Sequence, residues 1–123
     1  MVFIRIKIKG YLKNNTDNEI HCFEEKGIIN KNRIIYSYDG VKFSIRINNN
    51  ELILVREGID FINTFVFSEK KSNCNYYLKE NNYDVDIEVK TIKMNISTNN
   101  IYVKYLVLDS NCEYEYNLEM SDI

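Results

Sequence analysis

The 123-residue chain contains no alanine, no glutamine, no proline and no tryptophan. Alanine is the best helix former, so its absence argues against a helical scaffold. No window carries the apolar spacing of an amphipathic helix. Long apolar runs are missing too, which excludes a membrane-spanning helix. The start of the chain alternates Ile4, Ile6 and Ile8 with Arg5, Lys7 and Lys9, and lacks the unbroken apolar stretch of a secretory signal. An excess of positive charge is also absent: 16 basic and 18 acidic residues leave a net charge of −2. A general nucleic-acid binder needs a clustered positive field, so that class is disfavoured. The three cysteines, Cys22, Cys74 and Cys112, are odd in number, widely spaced and free of any CxxC pair. That pattern reads as free thiols in a reducing compartment, and a cytoplasmic location is the expectation.

What is present points to β-structure. The size is that of one domain, 1–123, and one core can be buried at this length without metal or disulfide staples. Isoleucine, tyrosine, phenylalanine and valine abound, and these residues suit a pleated, half-buried surface. The heavy use of Asn, Ile, Lys and Tyr matches an AT-rich coding bias, so the asparagine count is given no structural weight. Period-two alternation recurs from end to end. A first strand carries Ile4, Ile6 and Ile8 on one face, and residues 14–18 form a polar turn. A second covers 19–26 and ends at Gly27; a third covers 28–38, with a break at Lys31 and Asn32, and ends at the hairpin dipeptide Asp39-Gly40. Strands over 41–47, 51–57 and 59–67 follow. A polar loop at 68–73 leaves room for one helical turn near 68–71. Further strands cover 75–80, 83–92 with a continuation or bend over 93–98, 101–108 and 113–120.

Eight to ten strands joined by short loops make an antiparallel meander. An open meander of this length would expose two edges, and closure removes them. The expected fold is therefore all-β, an antiparallel meander closed into a small up-and-down barrel.

The segment Val55-Arg56-Glu57-Gly58, followed by Phe65, opens a family resemblance. Before it stands an Ile-Tyr-x-Tyr strand, Ile35-Tyr36-Ser37-Tyr38; after it an alternating strand ends in Lys90-Thr91; a closing Ile-x-Val-x-Tyr pattern is Ile101, Val103 and Tyr105. In their order and spacing these features resemble the YwiB-like proteins, small bacterial domains with a calycin, lipocalin-like barrel. The resemblance spans nearly the whole chain. The chain departs from it at Asn81-Asn82, where the family carries a glycine, and in a shorter hairpin after Tyr38. It implies an architecture and supplies no activity; calycin barrels often hold a small apolar ligand in the lumen, but a fold does not fix a function.

Few residues offer chemistry. His21 is the lone histidine, and its neighbour Cys22 points to the opposite face of a strand, so the two cannot chelate one metal. Its plain reading is a surface or rim residue. Asp84, Asp86 and Glu88 form an acidic stripe with about 7 Å between successive side chains, too extended for a calcium loop; a solvated face opposite lysines is expected. Arg56 has two permitted phases. With Leu52 and Leu54 inward it faces the lumen and needs a carboxylate, carbonyl or tyrosine partner; with Ile53 and Val55 inward it lies outside. Inward, it either closes one barrel end or anchors an anionic ligand group. The many tyrosines, among them Tyr36, Tyr38, Tyr76, Tyr77, Tyr102, Tyr105, Tyr114 and Tyr116, line a pocket, stack on bases, or simply build sheet.

The leading expectation is a non-enzymatic barrel, without cofactor or metal, that binds a small, partly apolar ligand through Arg56, Phe65, Tyr114 and Tyr116. The alternative is a protein-interaction module, less readily an RNA-binding one, whose core is filled by the large inward residues Phe43, Phe65, Tyr114 and Tyr116.

Overall fold

The computed structural model describes residues 3–123. Ten strands succeed one another: β1 (Ile4–Asn14), β2 (Glu19–Asn30), β3 (Arg33–Tyr38), β4 (Val41–Asn48), β5 (Glu51–Glu57), β6 (Phe61–Phe67), β7 (Ser72–Leu78), β8 (Tyr83–Ile96), β9 (Asn100–Val107) and β10 (Cys112–Asp122). Each pairs antiparallel with its sequence neighbour, and β1 pairs with β10 from Ile6↔Asp122 to Asn14↔Tyr114, which closes the barrel. Among the described residues there is no helix. The odd strands all run toward one end, called here the mouth.

Alternation sets the core. Ile6 and Ile8, Ile34 and Tyr36, Phe43 and Ile45, Leu52 and Leu54, Phe65 and Phe67, and Tyr116, Leu118 and Met120 are all buried, each two residues from the next. Away from the mouth the lumen is packed solid: Ile8, Ile45, Leu52, Phe67, Ile101, Val103 and Leu118 are fully buried.

The turns explain the asparagines. Asn18, Asn49, Asn50, Asn82 and Asn111 all adopt positive φ, as do Lys31 and Asp39. With only four glycines in the chain, asparagine supplies the left-handed residue that tight turns demand, because its short polar side chain tolerates that region. The asparagine count therefore carries structural weight, contrary to the reading of it as coding bias. Asp39 and Gly40, both at positive φ, form the expected hairpin turn.

Several boundaries differ from the sequence reading. Gly27 does not end a strand. β2 passes through it to Asn30, and the turn falls at Lys31-Asn32. The glycine is there for room: a Cβ on Gly27 would stand 2.6 Å from Ile8 Cδ1 and 2.8 Å from the Ile35 carbonyl oxygen. β6 starts at Phe61, and Ile59 lies in the turn, exposed. β7 starts at Ser72 rather than Asn75, and ends at Leu78. Residues 68–71 make no helical turn; the Ser68 hydroxyl accepts from Lys70 N and the Ser72 hydroxyl from Ser68 N, so side chains hold the loop. β8 continues to Ile96 through a bulge between Thr91 and Lys93. The extra residue, Ile92, is exposed, and the inward phase passes from Val89 to Met94 and Ile96.

Candidate functional site

The mouth half of the lumen is not filled. A cavity of about 270 Å³ lies there, lined mostly by residues from the mouth ends of strands and their adjoining turns, with Leu54 and Phe65 from the middle of β5 and β6. Its floor is Phe43, Leu54, Phe65, Tyr105 and Tyr116; its rim is Leu12, His21, Phe23, Tyr38, Asp39 and Val41; Arg56 lies between the two. The volume sits just below the usual ligand-pocket range of about 300–1,000 Å³.

The cavity owes its opening to a split in the wall. β2 and β3 pair only from Gly27↔Tyr36 to Asn30↔Arg33. Nearer the mouth, residues 19–26 have no ladder partner on the β3 side. Phe23 and Tyr38 stand on opposite lips of this wedge, with ring centroids 5.0 Å apart. Gly10 permits the arrangement, since a Cβ there would lie 2.5 Å from Phe23 Cζ and 2.7 Å from the Asn117 carbonyl oxygen.

Leu52 and Leu54 face inward, and so does Arg56. Its ladder neighbours are Phe43 on β4 and Asn63 on β6. The guanidinium carbon lies 5.6 Å from the Phe43 ring centre and 5.9 Å from that of Phe61. These are cation–π contacts. Of the expected carboxylate, carbonyl or tyrosine partners it meets a side-chain carbonyl: Arg56 Nη1 donates to Asn63 Oδ1, at a long 3.4 Å. No ion pair among the described residues includes Arg56.

Asn63 was missed by the sequence reading. It is the buried polar side chain among the described residues, and its amide donates to Cys74 Sγ and to the Asn75 carbonyl, each at 3.2 Å. Its signal was visible: it occupies the inward phase of a strand with Phe65 and Phe67, where an apolar residue is the rule.

Three buried phenols accompany the site: Tyr105 and Tyr116 line the cavity, and the Tyr36 hydroxyl is hydrogen-bonded to that of Tyr116 without lining it. Burial raises the pKa of Tyr36, Tyr105 and Tyr116, while the positive charge of Arg56 pulls each down. The guanidinium field therefore reaches all three. A second aromatic cluster, Phe65, Phe67 and Tyr105, has centroid separations of 5.0–5.4 Å.

The structure thus brings Arg56, Phe65 and Tyr116 together in the lining of one cavity. Tyr114 is displaced from it: half-buried, it stacks on Tyr105 at 5.4 Å and does not line the cavity. His21 is exposed at the rim, 4.0 Å from Glu19 Oε2. The acidic stripe faces Tyr77, Asn75 and Asn73 across the ladder, not lysines. Asn75 Nδ2 donates to both Asp84 and Asp86 at 2.9 Å, which explains how the two carboxylates tolerate each other. Among the described residues no group of three or more His, Cys, Asp or Glu side chains could hold a metal ion. Cys22, Cys74 and Cys112 are all free.

No protein-family model and no curated protein sequence matches the chain. Among solved structures it is similar to the crystal structure of YwiB protein from Bacillus subtilis, with a TM-score of 0.70, 13% sequence identity, and coverage of 98% of this chain and 92% of that one. At that identity the likeness is one of fold, and it runs the length of both chains, as does the resemblance read around Arg56. The chain is a closed ten-stranded antiparallel barrel that shares the fold of YwiB.

Proposed function

We propose that the barrel binds a small molecule with an apolar body and an anionic head in the mouth half of its lumen, with Arg56 as the anchor. One observation carries this reading: a guanidinium lines an otherwise mostly apolar cavity and has a single long hydrogen bond to a neutral amide. Arg56 is half-buried, and a partly desolvated charge without a counter-charge has an anion from outside as its natural complement. The planar fork of arginine suits that task better than a lysine ammonium does.

The reading predicts opposite effects on binding and stability. Arg56→Gln keeps a donor for Asn63 Oδ1 and removes the charge. It is expected to leave folding stability within about 0.5 kcal/mol of the parent, or to raise it. The same change should weaken binding of a fluorescent arylsulfonate probe at least tenfold. Urea unfolding and probe titration on the same two proteins provide the check. A stability loss of more than about 2 kcal/mol with unchanged probe binding would make Arg56 a structural closure, and would favour a barrel that works through its outer surface.

A further inference from the structure

We infer that the ligand of this cavity is an aromatic monocarboxylate of one ring, held by its carboxylate on Arg56 and by its ring among Phe23, Phe43, Phe65 and Tyr105. The inference rests on the anion-binding reading above and narrows it in size, shape and charge.

Size comes from the volume. An apolar cavity of about 150 Å³ is enough to hold benzene; this one, at about 270 Å³, is not quite twice that. One ring with a short acid substituent fits. A long acyl chain does not, because the lumen beyond is closed by Leu52, Phe67 and Val103, all fully buried.

Shape comes from the walls. Phe23 and Phe43 line the cavity, and each stacks on Tyr36, with centroids 5.6 Å and 4.7 Å from it and planes 15° and 5° from its plane. Phe65 and Tyr105 are tilted by 55° to each other. A planar ring between them meets both aromatic faces and edges, the arrangements that aromatic pairs prefer. A flexible aliphatic body gains less from such walls and loses more rotamer freedom on entering.

Charge comes from counting what faces the cavity. Arg56 is the one arginine or lysine in its lining, and Asp39 stands at the rim with the opposite sign. A monoanion is neutralised by one guanidinium. A phosphate dianion would keep a net charge beside Asp39 and the aromatic floor. The Tyr105 hydroxyl makes no hydrogen bond within the described residues and lines the same cavity, so it supplies a second donor for a carboxylate oxygen. It is a positioning donor beside the charged anchor.

The test is calorimetric titration of the full chain with four probes: benzoate, octanoate, benzyl alcohol and phenyl phosphate. Benzoate is expected to bind with one-to-one stoichiometry and at least tenfold more tightly than each of the others. Arg56→Gln should lower benzoate affinity at least tenfold, and Tyr105→Phe by several-fold, with circular dichroism showing both variants folded. Tighter octanoate binding that still depends on Arg56 would overturn the aromatic assignment and leave the broader anion reading standing. Tighter phenyl phosphate binding would overturn the carboxylate assignment in the same way. Benzoate binding that ignores Arg56→Gln, or no binding by any probe, would overturn both.

Discussion

Replacing Phe67 by alanine is expected to cost about 3–5 kcal/mol of folding stability, the upper part of the range for large-to-small core changes. Phe67 is fully buried, opposite Leu52 on the β5–β6 ladder and within 5.2 Å of the Phe65 and Tyr105 ring centres. Its neighbours are held by ladders on both sides and cannot collapse into the space. Phe65, two residues nearer the mouth, is the internal control. It lines the existing cavity, so its loss enlarges a space already open rather than creating one. Phe65→Ala should therefore cost less than Phe67→Ala despite identical chemistry. Urea midpoints of the two variants decide this. Equal losses would mean that the mouth half is packed as tightly as the other, and the cavity would lose its standing as a binding site.

The barrel is expected to lose stability in alkali above about pH 10. Burial is the first cause of the raised pKa of Tyr36, Tyr105 and Tyr116. In the unfolded chain each titrates near the ordinary phenol value of about 10. A folded pKa above the unfolded one means that the folded state holds its proton more firmly. The stability tied to that proton is fully present below about pH 10 and is lost as pH rises through the folded values. Each group removes up to about 1.4 kcal/mol per pH unit. With three such groups the loss is a sizeable part of the whole stability of a typical domain, about 5–15 kcal/mol. Phenolate absorbance and far-ultraviolet circular dichroism should then change together and steeply. A smooth phenolate titration of all ten tyrosines with the β signal intact would show that these hydroxyls reach water freely.

The architecture was legible because a single signal, alternation, repeats in every strand, and because short loops between alternating strands leave little choice but a closed meander. What alternation does not encode is where a strand stops. Gly27 looks like a terminator in sequence, yet its role is to let the Ile8 side chain and the Ile35 carbonyl approach; that depends on neighbours remote in the chain. The bulge at Ile92 was blurred for the same reason, since one extra residue is seen only against its partner β9. The phase of β5 was left open in sequence because Leu52, Ile53, Leu54 and Val55 are apolar on both faces. Once the ladders fix it, Arg56 and Phe65 fall on the same wall, with Tyr116 across the lumen. Tyr114 failed because inward phase does not say how far along the lumen a side chain sits; it stacks on Tyr105 outside the cavity lining. Asn63 was overlooked although a polar residue on the inward phase between aromatics is a readable anomaly.

The central claim is that an anionic ligand enters the lumen rather than settling on the outside. A rival site exists in plain terms. A groove of about 560 Å³ on the outer wall, where β2 parts from β3, carries Arg5, Lys26 and Lys42 against the single carboxylate side chain of Glu25, and its excess of bases would attract anions. Nuclear magnetic resonance titration of the labelled protein with benzoate separates the two sites. Shifts concentrated on Phe43, Arg56, Phe65 and Tyr105, with saturation that persists at raised salt, are the predicted result. Shifts confined to Arg5, Lys26 and Lys42 and abolished by salt would contradict it.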